Sequence, residues 1–397
     1  MDKTLLSKPN VTLPLQGQIF LFLVVRTIMS VMIRMVHPFL PVFARGLNVD
    51  LETFALVLSA SYAGGIIGPF VATVSDKTGR KAGMLLGLFI FTLGTFVIVI
   101  WPNLFIFFLA IMLATIGRNI VIPAMVAYIG DHVPFEKRGA AIGIIETSWS
   151  LAFILCIPLV GLLIEEVGWK APFTILALCS VAMITAVQIA LPRDEVRKPS
   201  YRQQPFAYLH LVLNNRSAVS GLIMGLFVFT GSASIQIIFG AWLEDSFKLS
   251  VTALGLAAMV IGFAQLGGEL LSTTLTDRLG KKRSVYIGLC LSILVCAMIF
   301  RLDDTLQGAL IWLFIFFIGL EYAVISSISM MSEIVPDARA SMIATYFATV
   351  SIGFSIGPII STKLYNIGFP AIALACVILF SAGIFFLSRI RIPVKSD

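Results

Sequence analysis

The chain has 397 residues, of which 58% are hydrophobic and 12% are charged. Soluble globular proteins carry about 25% charged residues, so this composition excludes a soluble domain and indicates a protein of the lipid bilayer. The formal net charge of +7 is explained by the membrane topology derived below, and nucleic acid is not expected as a partner.

Apolar runs of about 20 residues recur along the whole chain, and each is long enough to cross roughly 30 Å of hydrocarbon as an α-helix. The first 16 residues are polar overall and lack the small-residue cleavage site of a signal peptide, so the first run is predicted to be retained. We predict an all-α membrane protein with twelve transmembrane helices, at residues 17–43, 52–73, 82–101, 104–128, 139–164, 170–192, 217–243, 251–275, 283–301, 306–332, 340–366 and 368–390.

The longest polar segment separates the sixth predicted helix from the seventh. Its seven charged residues are Arg193, Asp194, Glu195, Arg197, Lys198, Arg202 and Arg216. Such a stretch is typical of a linker. We therefore predict an N-terminal half of six helices at residues 1–192, a cytoplasmic linker at residues 193–216 and a C-terminal half of six helices at residues 217–397.

The distribution of Lys and Arg predicts the orientation, because cytoplasmic loops of membrane proteins are enriched in these residues. With both termini in the cytoplasm, 20 of the 28 Lys and Arg residues fall on the inner side and 5 on the outer side. The sequence therefore predicts a multi-pass protein of the cell (inner) membrane with both termini cytoplasmic.

A polar break between the second and third predicted helices returns 201 residues later, between the eighth and ninth. A glycine in each copy permits the backbone angles of a tight turn, and the flanking cations favour the cytoplasmic lipid headgroups. An internal period of this length predicts two parallel six-helix repeats, with a site between the halves near the middle of the membrane. The first copy contains Asp76, Lys77, Gly79, Arg80 and Lys81, and the second contains Asp277, Arg278, Gly280, Lys281 and Lys282.

Seven ionisable residues lie in the interior of the predicted spans, away from their ends. A charge in the middle of a bilayer costs at least about 2.5 to 3.5 kcal/mol on insertion scales and is a functional-site hypothesis by default. In a continuous first helix, Arg26 and Arg34 would lie about 80° apart around the axis and His37 about 20° from Arg26, so all three would face a central cavity. The seven residues are Arg26, Arg34, His37, Arg118, Glu146, Glu269 and Glu321.

These charges have two interpretations. In the first, they are ion pairs, with Arg34 and Arg118 as the partners of Glu146 and Glu321, that only hold the helices together. In the second, they bind substrate and carry the coupling proton. Arg118 and Glu321 lie in repeat-related helices, since Gly117 corresponds to Gly319, and this favours the second interpretation. A structural role and a titrating role are equally compatible with His37.

Other chemistry is not indicated. The five cysteines fall inside apolar runs with no metal or redox motif, and the chain has only three histidines. It also lacks a glycine-rich loop followed by Lys and Ser or Thr that would bind ATP. We therefore expect no enzyme activity, no metal and no cofactor, with an ion gradient as the energy source. The alternative class is a membrane-embedded sensor or enzyme.

The doubled loop motif, the twelve spans and the central linker together resemble the major facilitator superfamily (MFS), and the resemblance covers nearly the whole chain. Residues 123–131, followed by Pro134, Arg138 and Gly139, are similar to the end of the fourth helix in that superfamily. The chain is most similar to the twelve-helix drug:proton antiporter branch, whose glycine-proline motif has partial counterparts at residues 157–161 and 353–358.

The resemblance also implies an inner gate that holds the two halves together. Asp76 would cap the N-terminus of the eleventh helix while Arg80 pairs with Asp131. In the second half, Asp277 would act as a cap and Lys281 would pair with Glu333. The implied gating residues are Asp76, Lys77, Gly79, Arg80, Lys81, Asp131, Asp277, Arg278, Gly280, Lys281 and Glu333.

The function implied is secondary transport of a small organic molecule by alternating access. A cavity rich in Phe, Ile and Met suits an amphiphilic molecule, and the family branch implies efflux by antiport with protons. The three arginines keep open an alternative, proton-coupled transport of an organic anion or a lipid-like molecule. The expected partners are the substrate, protons and lipid, and the expected state is a monomer.

Overall fold

The computed structural model describes residues 13–67, 79–192, 209–299 and 305–391. Each predicted span coincides with one, two or three consecutive helices, which confirms the all-α fold. Ten helices in the described ranges are long and apolar enough to cross a membrane; the second span, Leu51–Ile66, and the ninth, Lys281–Ala297, are shorter. The remaining spans are the first, Leu15–Arg34 with Leu40–Gly46; the third, Arg80–Ile100; the fourth, Leu104–His132; the fifth, Phe135–Glu146 with Ser148–Leu151 and Ile157–Val167; the sixth, Ala171–Ala190; the seventh, Arg216–Phe247; the eighth, Val251–Leu279; the tenth, Leu306–Ile334; the eleventh, Arg339–Tyr365; and the twelfth, Phe369–Ser388.

The first span is not the continuous helix that the sequence analysis predicted. Its first helix ends at Arg34, and a second helix begins at Leu40 after a turn. Pro38 explains the break, because a proline has no N–H to donate and its ring clashes with the carbonyl four residues earlier, here that of Arg34. The break removes the angular argument for His37, whereas Arg26 and Arg34 still share one helix.

The fifth span is also interrupted, in contrast to the single helix predicted. Thr147 separates its first two helices, and residues 152–156 form one turn of π-helix. Pro158 follows this turn and cannot donate a backbone hydrogen bond to the carbonyl of Ile154. Local π turns inside α-helices frequently occur at functional sites.

The predicted linker is only partly described. Residues 193–208 lie outside the described ranges, and Leu209–Asn214 forms a short helix. The seventh span then starts at Arg216, one residue earlier than predicted, because the side chain of Asn215 accepts hydrogen bonds from the N–H groups of Ser217 and Ala218 and so caps the helix. The division of the chain into two halves at this linker stays a prediction.

Close helix crossings repeat in the two halves. A Cβ on Gly87 would lie 2.7 Å from the carbonyl oxygen of Gly117, and a Cβ on Gly288 would lie 2.5 Å from that of Gly319. The third and fourth spans therefore cross at the same kind of glycine contact as the ninth and tenth. These contacts lie 201 to 202 residues apart, as the internal repeat predicts.

The two halves meet mainly through the second and eleventh spans and through the fifth and eighth. We call the end of the bundle that carries Gly79 and Gly280 the inner end, and the opposite end the outer end. Towards the outer end, a Cβ on Gly161 would lie 3.0 Å from the carbonyl oxygen of Val251, and one on Gly240 would lie 2.3 Å from that of Pro38. The outer ends of the halves are thus in direct backbone contact.

At the inner end the packing is more open. Within the described ranges, a Cβ on Gly139 or Gly143, in the first helix of the fifth span, would have no neighbouring atom within 4 Å. Glu146, at the end of the same helix, has a side chain that is 52% exposed. The space between the halves is therefore reached from the inner end, while the outer end is closed.

Candidate functional site

The predicted ionisable residues converge between the halves, apart from His37, which lies beyond the break in the first span. We call the group the central cluster. The N-terminal half contributes residues of the first, fourth and fifth spans, and the C-terminal half contributes residues of the eighth and tenth. Its members are Arg26, Arg34, Arg118, Glu146, Trp149, Phe153, Gln265, Glu269 and Glu321.

Arg34 is the most buried charge of the cluster, with 0% of its surface exposed. Its Nη2 donates a hydrogen bond to the side-chain carbonyl oxygen of Gln265, which joins the first span to the eighth. Its Cζ lies 4.1 Å from the ring centroid of Trp149 and 3.7 Å from that of Phe153. Aromatic faces attract a guanidinium electrostatically, so Arg34 is held by an amide and two rings.

Arg26 forms the ion pair of the cluster. Its Nη2 lies 2.5 Å from Glu146 Oε2, so the pair links the first span to the fifth. Arg26 is buried, but the Glu146 side chain is 52% exposed. Because one partner faces solvent, the pair contributes less to stability than a fully buried ion pair.

Arg118 has no carboxylate partner within the described ranges, although the sequence analysis considered pairing with Glu146 or Glu321. Glu146 pairs with Arg26 instead. Arg118 Cζ lies 5.0 Å from the ring centroid of Trp149, and its buried Nε has no described hydrogen-bond acceptor. Trp149 therefore lies against two guanidinium groups, those of Arg34 and Arg118.

Two carboxylates complete the cluster on the C-terminal side. Glu269 Oε2 lies 3.4 Å from the hydroxyl of Ser150, which joins the eighth span to the fifth. Glu321 packs on Gly268, since a Cβ there would lie 2.7 Å from Glu321 Cβ. Both carboxylates interact electrostatically with Arg34, but neither forms an ion pair with it in the described structure.

His37 lies in the turn of the first span. Its Nε2 is 3.0 Å from the hydroxyl of Tyr62 in the second span, and its buried Nδ1 has no acceptor or donor among the described residues. Tyr62 in turn packs edge-on against Phe354 of the eleventh span. His37 is therefore positioned by the second span, away from the hydrogen bonds of the central cluster.

The sequence analysis missed Gln265 and Phe153. A search restricted to ionisable residues overlooks an amide, although a buried amide in a span also has to find a partner. Gln265, Gly268 and Glu269 are spaced at i, i+3 and i+4 and so share one face of the eighth span. That spacing was the available signal for Gln265, whereas Phe153 has no sequence feature that separates it from packing residues.

The inner loops show repeat-related contacts. Asp76 and Lys77 lie outside the described residues. Gly79 has a φ of +101° and Gly280 a φ of +91°, angles that side-chain-bearing residues rarely adopt. The predicted pairing of Arg80 with Asp131 is confirmed at 3.4 Å, and that of Lys281 with Glu333 at 2.6 Å.

The last cation of each loop motif, Lys81 or Lys282, binds a helix end. Lys81 Nζ donates hydrogen bonds to the carbonyl oxygens of Gln188 and Leu191, at the C-terminal end of the sixth span. Lys282 Nζ donates in the same way to those of Ser388 and Ile390, at the end of the twelfth. A cation at the C-terminus of a helix satisfies unpaired carbonyls and complements the helix dipole.

The predicted contact of Asp277 is not formed. Asp277 and Arg278 are exposed. The N-terminus of the fifth span, which is the repeat-related counterpart of the eleventh, carries no side-chain cap. This agrees with the open packing at the inner end, which keeps the eighth span away from the start of the fifth. No group of three His, Cys, Asp or Glu residues in the described ranges is arranged to hold a metal ion.

The sequence matches known proteins over most of its length. The profile of the Major Facilitator Superfamily matches residues 22–330 and, in a second match, residues 221–397. The chain is 27% identical over 359 residues to YwfA of Bacillus subtilis, an uncharacterized MFS-type transporter, covering 88% of this chain and 85% of that protein. It is 23% identical over 370 residues to multidrug resistance protein 2 of Bacillus subtilis, covering 89% and 90% of the two chains.

A further relative is the quinolone resistance protein NorA of Staphylococcus aureus, 22% identical over 345 residues and covering 85% of this chain and 87% of NorA. Among solved structures, a bacterial homolog of the human lysosomal transporter Spinster, in an inward-facing and occupied conformation, superposes with a TM-score of 0.78 at 16% identity, covering 96% and 99% of the chains. The nucleoside transporter NupG superposes with a TM-score of 0.76 at 16% identity, covering 94% and 98%. The chain belongs to the Major Facilitator Superfamily and is a membrane transporter, not an enzyme.

Proposed function

We propose that this protein exports small amphiphilic organic molecules in exchange for protons. The observation that carries the proposal is the central cluster, in which the carboxylates Glu269 and Glu321 of the C-terminal half interact electrostatically with Arg34, which forms no ion pair in the described structure. The cluster joins both halves between the closed outer end and the open inner end. The names of the relatives, a multidrug resistance protein and a quinolone resistance protein, support drug-like cargo and export.

Exchange requires a group that alternates between a proton and the cargo. An arginine stays protonated at any working pH, so the proton has to bind a carboxylate. Burial favours the neutral form of a carboxyl group, whereas a neighbouring guanidinium favours the charged form. Glu321 packs on the eighth span beside Glu269 and is not held in an ion pair, so we assign it as the primary proton site, with Glu269 as its neighbour.

The test is transport of rhodamine 123 into inside-out proteoliposomes with an imposed pH gradient. We expect Glu321→Gln to abolish pH-driven accumulation while rhodamine exchange at equal pH continues, because Glu269 can still bind the cationic cargo, though more weakly, whereas the carboxylate that releases the proton is gone. Glu52→Gln is the matched control, since Glu52 is an exposed carboxylate at the outer end. Unchanged pH-driven accumulation in Glu146→Gln, Glu269→Gln and Glu321→Gln alike would contradict proton coupling through the cluster.

A further inference from the structure

Three buried nitrogen atoms at the centre of the cluster carry N–H groups for which the described part of the chain provides no acceptor. Arg34 Nε and Nη1 and Gln265 Nε2 lack a hydrogen-bond partner among the described residues, and Gln265 is only 1% exposed. The orientation of the amide follows from its contact, because the carbonyl oxygen of Gln265 has to face the donating Arg34. A buried donor without an acceptor is unfavourable, so this site is built to receive a group with oxygen acceptors.

The neighbouring side chains fix the orientation of the Arg34 guanidinium and of its N–H groups that lack an acceptor. Trp149 and Phe153 lie within 4.1 Å of the Arg34 guanidinium carbon, and Gln265 holds Nη2. A planar guanidinium fixed in this way can bind a carboxylate or a phosphate through two parallel hydrogen bonds. The recognised group is therefore an anion.

The opposite charge is provided by the eighth and tenth spans, in the other half of the protein. Glu269 and Glu321 both interact electrostatically with Arg34 without pairing with it. The buried hydroxyl of Tyr322, next to Glu321 in sequence, also has no described partner. A simple anion would bring a third negative charge towards these carboxylates, and a simple cation would leave the donors of Arg34 and Gln265 unpaired.

We propose that the transported molecule is zwitterionic, with its anionic group on Arg34 and Gln265 and its cationic nitrogen at Glu269 and Glu321. This inference rests on the proposed transport function and names its substrate class. Trp149 and Phe153 provide apolar surface beside the position of the anionic group. The cationic nitrogen competes with protons for the carboxylates, which is the condition for exchange.

The experiment compares two dyes that differ only in the anion. Rhodamine 110 carries a carboxylate on a cationic ring system, and rhodamine 123 is its methyl ester. Binding to the purified full-length protein is measured by fluorescence anisotropy at neutral pH. We expect the wild type to bind rhodamine 110 more tightly, and Arg34→Gln to weaken rhodamine 110 by about tenfold or more while rhodamine 123 changes by less than about twofold.

Further variants separate the two charged positions. Arg34→Lys keeps the charge but not the paired donors, so we expect an intermediate loss for rhodamine 110. Glu321→Gln is expected to weaken both dyes, because both carry the cation. If Arg34→Gln does not fold, Gln265→Leu removes one donor without removing a charge, and the same selective loss for rhodamine 110 is expected there.

Equal weakening of both dyes by the Arg34 and Gln265 variants, or tighter wild-type binding of the ester, would overturn the proposal. A wild-type protein that binds rhodamine 110 selectively but transports neither dye would refute the proposed export function and leave the binding inference standing. Lysophosphatidylethanolamine carries both charges in a lipid headgroup. Its displacement of rhodamine 110 would support the same charge pairing with a lipid as the source, and selective dye binding without displacement would support a soluble source.

Discussion

Arg34 is the residue whose environment is most unusual for its chemistry. A guanidinium without an ion pair is costly to bury, because the charge loses its hydration and the group cannot become neutral at a working pH. Here the compensation comes from the amide of Gln265 and the rings of Trp149 and Phe153. Arg118 shares the Trp149 ring, so this tryptophan is a common support for two cations.

We therefore expect Trp149→Leu to lower the thermal stability of the purified protein. A cation–π contact contributes about 0.5 to 2 kcal/mol, and Trp149→Phe should retain part of it because a ring face remains. Trp101→Leu is the control, since Trp101 is largely exposed at the outer end. The measurement is a melting curve in detergent for each variant.

A double-mutant cycle separates the cation–π contact from packing. If Trp149→Leu costs as much stability in an Arg34→Met background as in the wild type, the ring and the guanidinium are not coupled. The expected result is a clearly smaller loss in that background. The same cycle with Arg118→Met reports on the second guanidinium.

Single helices in this protein are shaped by prolines and by their end groups. Pro38 ends the first helix of the first span, and Pro158 follows the π turn of the fifth. At outer-end helix starts, Asp50, Asn103, Ser250 and Thr305 accept a backbone N–H from the first turn. At the inner end, Lys81 and Lys282 bind the last carbonyls of the sixth and twelfth spans.

We expect Lys282→Met to destabilise the protein by about 1 kcal/mol, because two helix-terminal carbonyls lose a charged donor. Lys81→Met should act similarly in the other half, and the two losses should add because the sites are far apart. Arg283→Met is the matched control, since Arg283 is the adjacent, exposed cation. Unfolding by titration with sodium dodecyl sulfate measures the free energy, and an equal loss in Arg283→Met would show that only surface charge matters.

At the scale of the whole molecule, the outer end is held closed by polar contacts between the halves as well as by glycine packing. Arg45 pairs with Glu244 at 2.8 Å, joining the first span to the seventh. Glu165 Oε2 accepts the backbone N–H of Thr252 at 2.6 Å, joining the fifth span to the start of the eighth. A carboxylate at a helix N-terminus is favourable because it complements the helix dipole. The contact of Glu165 therefore stabilises the closed arrangement of the two halves at the start of the eighth span.

Removing both contacts, as Arg45→Gln with Glu165→Gln, should shift the population several-fold towards an open outer end, because both contacts join the two halves only while that end is closed. The measurement is the distance distribution between spin labels placed at Lys170 and Lys363 in a cysteine-free background. Lys248→Gln is the control, an exposed cation at the same end. Identical distributions in the double variant and the wild type would mean that glycine packing alone holds the closed state.

The sequence by itself determined the positions of the spans, the internal repeat and the two inner ion pairs. The reason is local: a helix that crosses a bilayer needs about 20 apolar residues, whatever it packs against. The ion pair of Arg80 with Asp131 and that of Lys281 with Glu333 were implied by the resemblance of the repeated loop motifs to the superfamily, and each lies within one half of the chain. Even the helix breaks had a visible cause in Pro38 and Pro158.

Only the tertiary structure decided which residues of the central cluster meet. Spacing along a helix places Arg26 and Arg34 on one side of it, but the partner of each depends on how separate helices pack. Arg34 contacts Gln265, which lies 231 residues away, and Glu146 pairs with Arg26, 120 residues away. Such contacts come from the packing of helices within and between the halves, which no short stretch of sequence encodes.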